Sequence, residues 1–134
     1  MLKLAHFALS LVLGATLLVA GCGSKTPLTP PIVLSPSNGA SSISVHTPFM
    51  WLSMNGVTYD FQLSTDSSFS NITEQKSGLK ENSYILNNKL LPETQYYWRV
   101  RAKAFLKGTS SWTTSTFKTG LDVTAPPPPP PPRE

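Results

Sequence analysis

Leu91-Pro92-Glu93-Thr94-Gln95-Tyr96-Tyr97-Trp98-Arg99-Val100-Arg101-Ala102 reads as a turn followed by one long strand. From Tyr96 the residues alternate. Tyr96, Trp98, Val100 and Ala102 share one face, and Tyr97, Arg99, Arg101 and Lys103 share the other. A period of two marks a strand with one dry face and one wet face. Here the dry face is aromatic and branched and the wet face is cationic. Such a strand belongs at the centre of a layered β fold, with the rest of the chain as its packing partners.

Working outward, Tyr59, Phe61 and Leu63 alternate with Asp60, Gln62 and Ser64, which gives another clean strand. Asn55-Gly56 before it is the tightest hairpin signal in the chain. Residues 48–54 form the strand on the far side of that turn, with Phe49 and Trp51 inward. Residues 32–36 are a first short strand, at an edge because Pro36 limits ladder pairing. Residues 69–75 make a weak, short strand, residues 77–82 a loop, and residues 83–86 a further short strand. Lys107-Gly108-Thr109-Ser110 is a turn, and residues 112–119 are the last strand. In that strand Thr113, Ser115 and Phe117 share one face, with Trp112, Thr114, Thr116 and Lys118 on the other. No helical period appears after residue 22. About seven short strands with turn chemistry between them predict an all-β sandwich. Its expected core is Trp51, Tyr59, Phe61, Leu63, Ile85, Tyr96, Trp98, Val100 and Phe117.

The chain of 134 residues is long enough for one ordinary domain. Only 13% of residues are charged, the formal charge is +4, and Lys and Arg form no block. That is a poor footprint for nucleic acid, which is not expected as a partner. Cys22 stands alone, so no intrachain disulfide can form.

The N-terminus opens Met1-Leu2-Lys3, followed by an apolar run from Leu4 to Ala20 and then Val19-Ala20-Gly21-Cys22. A charged start, an apolar core and small residues before a processing point describe an export signal. The run lies at the short edge of the ~17–25 residues that span a bilayer, which favours a cleaved signal over a permanent anchor. The Val-Ala-Gly-Cys segment resembles the lipobox of bacterial lipoproteins. The resemblance implies cleavage between Gly21 and Cys22 and a diacylglyceryl thioether on Cys22. A free thiol is otherwise awkward in an oxidising compartment, and two or more acyl chains anchor stably. The implied location is a bacterial membrane, lipid-anchored on its extracytoplasmic side, with membrane lipid as the first partner. Residues 1–21 are then the signal helix and residues 22–31 a lipidated, extended tether reaching about 30 Å at most.

Residues 32–119 resemble a fibronectin type III domain of bacterial type. The pieces that carry this are Leu34-Ser35-Pro36-Ser37-Asn38-Gly39-Ala40, the run from Tyr59 to Phe69, the opening stretch, and Ser111-Trp112. The resemblance implies a seven-stranded fibronectin type III or immunoglobulin-like sandwich over residues 32–120. It assigns structural roles to Trp51, the buried tryptophan of the second strand, and to Tyr96, whose hydroxyl bonds to backbone just upstream. Trp98 belongs with them in the core. The family implies adhesion, spacing or ligand presentation, and no chemistry of its own.

Catalysis and metal binding find little support in the residues. His46 is the one histidine after the signal and lies beside a Thr47-Pro48 turn. Asp60, Asp66, Glu74, Glu81 and Glu93 are scattered, without the clustering that metal sites need. Asp66 sits in a Thr-Asp-Ser-Ser turn that it caps itself. No cofactor is implied, and the protein reads as non-catalytic.

The candidate binding residues are Tyr97, Arg99, Arg101, Trp112 and Phe105. Tyr97, Arg99, Arg101 and Lys103 line the wet face, joined by Trp112 and Lys118 from the last strand and by Asp60 and Gln62. A tryptophan beside guanidinium groups invites cation–π stacking, which either shields Trp112 or forms a recognition surface rich in hot-spot residues. Phe105, in the Ala104–Gly108 loop, either contacts a ligand or tucks under the sheet end. Residues 121–134 form a proline-rich, disordered tail in which Pro126 to Pro132 make a stiff polyproline rod of about 20 Å. The expected function is that of an interaction or scaffolding module for an envelope protein. Its rivals are a carbohydrate-binding surface, with Trp112 and Tyr97 stacking on sugar rings, and a passive spacer related to polysaccharide-degrading enzymes.

Overall fold

The computed structural model describes residues 26–124 and 126–130, and the expected signal, Gly21 and Cys22 lie outside them. The described residues contain no helix long and apolar enough to cross a membrane. They form nine strands: β1 Val33–Ser35, β2 Ala40–Ile43, β3 Phe49–Trp51, β4 Thr58–Ser64, β5 Ile72–Leu79, β6 Ser83–Tyr84, β7 Gln95–Ala104, β8 Gly108–Thr109 and β9 Thr113–Thr119. One sheet runs β1-β3-β6. The other runs β2-β9-β7-β4-β5, with β8 added at the end of β7. The expected all-β sandwich is the fold.

Its centre is β7, paired antiparallel to β4 on one side and β9 on the other. The register places Val100 opposite Phe61 and Trp98 opposite Leu63 and Ser115, so the dry faces align. From the other sheet Phe49 and Trp51 close the core, with no exposed surface on either. Phe49 meets Phe61 at 4.9 Å and the edge of Trp98 at 5.2 Å between ring centroids. Trp51 sets its edge on Tyr59 at 5.3 Å. Tilted and edge contacts of this kind each add about 0.5–1.5 kcal/mol beyond burial.

Two tyrosine hydroxyls tie turns to the core with the same spacing. The Leu91 N–H donates to Tyr96 Oη at 3.1 Å, and the Met54 N–H donates to Tyr59 Oη at 2.8 Å. Buried Thr119 is a third tie. Its Oγ1 donates to the Leu91 carbonyl at 2.7 Å and accepts from the Thr94 N–H at 2.8 Å.

Several expectations are corrected. Ile85 is 67% exposed, not core. Tyr84 pairs opposite Phe49 and faces inward, so its neighbour must face out. The weak strand is longer and later than residues 69–75, and it takes in Ser77 and Gly78, expected as loop. Asn55-Gly56 does not close a hairpin within one sheet, because β3 pairs with β1 and β6 while β4 lies in the other layer. Gly56, at φ +70°, makes the crossing between layers. Two strands were unforeseen: β2, parallel to β9, and β8, inside the expected 107–110 turn. Trp112 stands just before β9, not in it.

The packed unit also begins earlier than residue 32. Pro31 is fully buried, Leu28 packs on the core, and Thr113 Oγ1 donates to the Pro31 carbonyl at 2.6 Å. At the other end the Gly120 N–H donates to the Ile43 carbonyl and Lys89 pairs with Asp122 at 2.6 Å. The Lys89 ammonium, with the hydroxyl and N–H of Thr124, holds the Asp122 carboxyl down at about 2.

Candidate functional site

The wet face of β7 carries Tyr97, Arg99, Arg101 and Lys103 in one row. Pairing with β4 sets Gln62 beside Arg99 and Asp60 beside Arg101. Arg101 Nε donates to Asp60 Oδ2 at 2.9 Å, and Lys103 Nζ reaches the same oxygen at 2.8 Å. Asp60 is only 3% exposed. Burial pushes its carboxyl up, but the bonds and charges of Lys103 and Arg101 outweigh this and hold it below the ordinary value. Its Oδ1 has no partner among the described residues.

Arg99 Nε donates to Gln62 Oε1 at 2.8 Å. The guanidinium carbons of Arg99 and Arg101 lie 4.5 and 4.4 Å from the Trp112 ring centroid. Arg99 also covers Phe69 at 4.1 Å. Burial, and then the charge of Arg101, pull the Arg99 guanidinium below its ordinary value.

Phe69 owes its place to the turn before it. The Asp66 carboxylate accepts from the Ser68 N–H at 3.0 Å and the Ser70 N–H at 2.9 Å. The turn bends Phe69 into the left-handed region, at φ +56°, where a bulky side chain is rare. The ring is thereby brought to the outer face of the sheet, under Arg99.

The result is one continuous ladder: Lys103, Asp60, Arg101, Trp112, Arg99, Phe69. It unites three of the five candidate binding residues: Arg99, Arg101 and Trp112. Tyr97 sits half-buried on the same face, opposite Thr116 on β9. The Trp112 face under the guanidinium groups is not open to a sugar ring, and the ring as a whole is half-buried. Phe105 stands apart from the ladder. It is wholly exposed at the β7–β8 turn, beside Leu106 at 77%, and does not tuck under the sheet. His46 is exposed, and no three His, Cys, Asp or Glu side chains cluster among the described residues.

A second surface escaped the sequence reading. Ile32, Leu34, Met50, Leu52 and Ile85 are all exposed. Val33, Trp51 and Tyr84 take the inner side of the three-stranded sheet, so these five take the outer side. The Ile32 carbonyl accepts from the Leu52 N–H at 2.8 Å, which sets Ile32 and Leu52 side by side. The available signal was parity: Phe49 and Trp51 inward require Met50 and Leu52 outward.

No protein-family model matches the chain, and no curated protein matches it. Solved structures do. The fibronectin type-III domain of human fibronectin type III domain containing protein 3 matches at 21% identity and a TM-score of 0.50. The match covers 76% of this chain and 94% of that one. An α-L-rhamnosidase from Streptomyces avermitilis, solved with L-rhamnose, matches at 20% identity and a TM-score of 0.50. There the match covers 71% of this chain but only 10% of the other. At these identities the likeness shows the fold: a fibronectin type III-like sandwich.

Proposed function

We propose that this chain is a bacterial envelope lipoprotein, anchored outside the membrane through an acylated Cys22. Its sandwich is a non-catalytic module that docks another envelope protein. The observation that carries the protein-binding reading is the aliphatic outer face of Ile32, Leu34, Met50, Leu52 and Ile85. Contiguous exposed apolar surface marks protein contact. The patch holds no aromatic ring, which suits the side chains of a protein and not the stacking that sugars need. The ladder supports the same choice, because guanidinium groups already lie over Trp112. In this reading Arg99 and Arg101 stiffen the large sheet and lend a cationic rim, while the small sheet provides the contact.

A photo-crosslinking amino acid at position 34 tests this in cells. One discrete adduct with another envelope protein is expected. Adducts only with wall glycan, only with a second copy of this chain, or none at all would overturn the reading. The anchor has its own test: Cys22→Ser should leave an unprocessed, lipid-free precursor, and normal processing would refute the lipobox.

The carbohydrate reading rests on a separate observation, the likeness to a small part of a rhamnosidase. It makes the domain an accessory surface of the kind found beside polysaccharide-degrading enzymes. Titration with polysaccharides should then change tryptophan fluorescence in the wild type and not in Trp112→Ala. No response across a broad glycan set removes it.

A further inference from the structure

We infer that the β7–β8 turn, Phe105-Leu106-Lys107, is a membrane-contacting tip that seats on an anionic lipid surface. The inference rests on the reading of Cys22 as the lipid anchor. Phe105 is 100% exposed and Leu106 is 77% exposed, at the tip of a short hairpin. Lys103 pairs with Thr109 and Ala104 with Gly108, so only three residues protrude. Two apolar side chains at the tip of a hairpin cost free energy in water and gain it at a bilayer interface.

The position of the tip in the fold identifies what it faces. A cleft of about 340 Å³ beneath the turn is lined by Leu28, Asn55, Val57, Leu106 and Lys107, among others. Leu28 lies at the entry of the chain into the sandwich, six residues after Cys22. Six residues span at most about 20 Å. A lipid on Cys22 therefore holds this end of the sandwich, and not the other, close to the bilayer. The far end is about 30 Å away along β7. There Lys118 on β9 pairs with Gln95, and the chain leaves for its proline run.

Charge agrees with this placement. Lys80 and Lys103 line a second cleft against Phe105, of about 700 Å³, and Lys107 lines the first. Lys103 is shared with Asp60, whereas Lys80 and Lys107 have no carboxylate partner among the described residues. No carboxylate lines either cleft. Lysines flanking exposed apolar residues are what anionic headgroups attract.

The test uses the mature lipoprotein reconstituted into phosphatidylethanolamine–phosphatidylglycerol vesicles, with or without bromine on the acyl chains. An environment-sensitive dye is attached at Leu106→Cys, or at Ser67→Cys on the opposite end as a control. Acylated Cys22 offers no thiol, so one site labels. An interfacial tip sits about 5–10 Å into the headgroup boundary, so bromine should lower emission from position 106 by about twofold or more. Position 67 should not respond. Equal emission from position 106 in plain and brominated vesicles, with Cys22 shown by intact mass to be acylated, overturns the tip and leaves the anchor standing. A Cys22 without lipid overturns the anchor and the tip together. Replacing phosphatidylglycerol with phosphatidylcholine should weaken the quenching, and unchanged quenching would overturn the anionic preference.

Discussion

Removing Arg101 should harm the domain more than removing the carboxylate it serves. Asp60 is 3% exposed, with Oδ2 bonded to Arg101 and Lys103 and Oδ1 unpartnered among the described residues. The Arg101 and Lys103 side chains are 32% and 42% exposed. In Arg101→Met the buried carboxylate keeps only its more solvated cation. Stripping a buried pair of one member costs about 3–5 kcal/mol. The surviving Lys103 and the partial exposure of Arg101 reduce this to about 2 kcal/mol. Loss of the contact with Trp112 adds about 0.5–1 kcal/mol. The total of about 2–3 kcal/mol lowers Tm by roughly 4–8 °C for each kcal/mol in a domain of this size. Lys103→Met leaves the Arg101 bond intact and should cost about 1 kcal/mol or less. Asp60→Leu leaves two cations that can turn to water, and should also cost about 1 kcal/mol. Urea unfolding of the chain from residue 23 onward, followed by the fluorescence of buried Trp51 and Trp98, gives all three values. The reasoning fails if Asp60→Leu is the most damaging of the three, or if Arg101→Met costs no more than Lys103→Met.

Three further outcomes are expected. Tyr96→Phe removes the acceptor of the Leu91 N–H and should cost about 1 kcal/mol, whereas Thr119→Val strips both the Leu91 carbonyl and the Thr94 N–H and should cost about 2 kcal/mol; the reverse order in urea titrations would contradict the assigned ties. Ile85→Ser should change stability by no more than about 0.5 kcal/mol, against about 2–5 kcal/mol for Leu63→Ala in the core; equal losses would return Ile85 to the interior. Asp60, Asp66 and Asp122 all have carboxyls held below the ordinary value in the folded state. Their stabilisation is complete above the unfolded value of about 3.9 and is lost as pH falls through the folded values. Tm should therefore fall from about pH 4 toward the Asp122 value of about 2, and a flat profile across that window would refute the pairings.

The legible parts of the fold were those with one dry face. In β7 and β4, each inside the large sheet, the apolar residues alternate because the core lies on a single side, although Asp60 and Ser64 on the other face of β4 are covered as well. Edge strands lack that constraint. β5 reads Ile-Thr-Glu-Gln-Lys-Ser-Gly-Leu and is mostly solvated, so hydrophobicity carried no period and its bounds slipped. β2 is Ala-Ser-Ser-Ile and owes its existence to β9 alone, a long-range pairing with no local signal. Ile85 was misplaced by one step of parity, which in a strand exchanges inside for outside. The ladder was half legible. Spacing put Arg99, Arg101 and Asp60 on one face, but nothing local shows that Asp60 is covered, or that Phe69 swings under Arg99. Pro30-Pro31 has the composition of a linker, yet Pro31 is buried.

These differences bear on how the surfaces divide their work. An array of tyrosine, arginine and tryptophan is, by composition, the obvious binding site of this chain. Its geometry makes it an internal brace, because the Nε atoms and guanidinium faces are engaged within the sheet: Arg101 by Asp60, Arg99 by Gln62 and Phe69, and both by Trp112. A partner that used the ladder would meet side chains already fixed by those contacts, with only the outer guanidinium N–H groups left to bond. The aliphatic face of the small sheet and the Phe105-Leu106 tip are not engaged in this way, since their side chains stand in solvent. Recognition on this domain is therefore expected where the sequence is plainest, with the conspicuous residues holding the sheet rigid behind it.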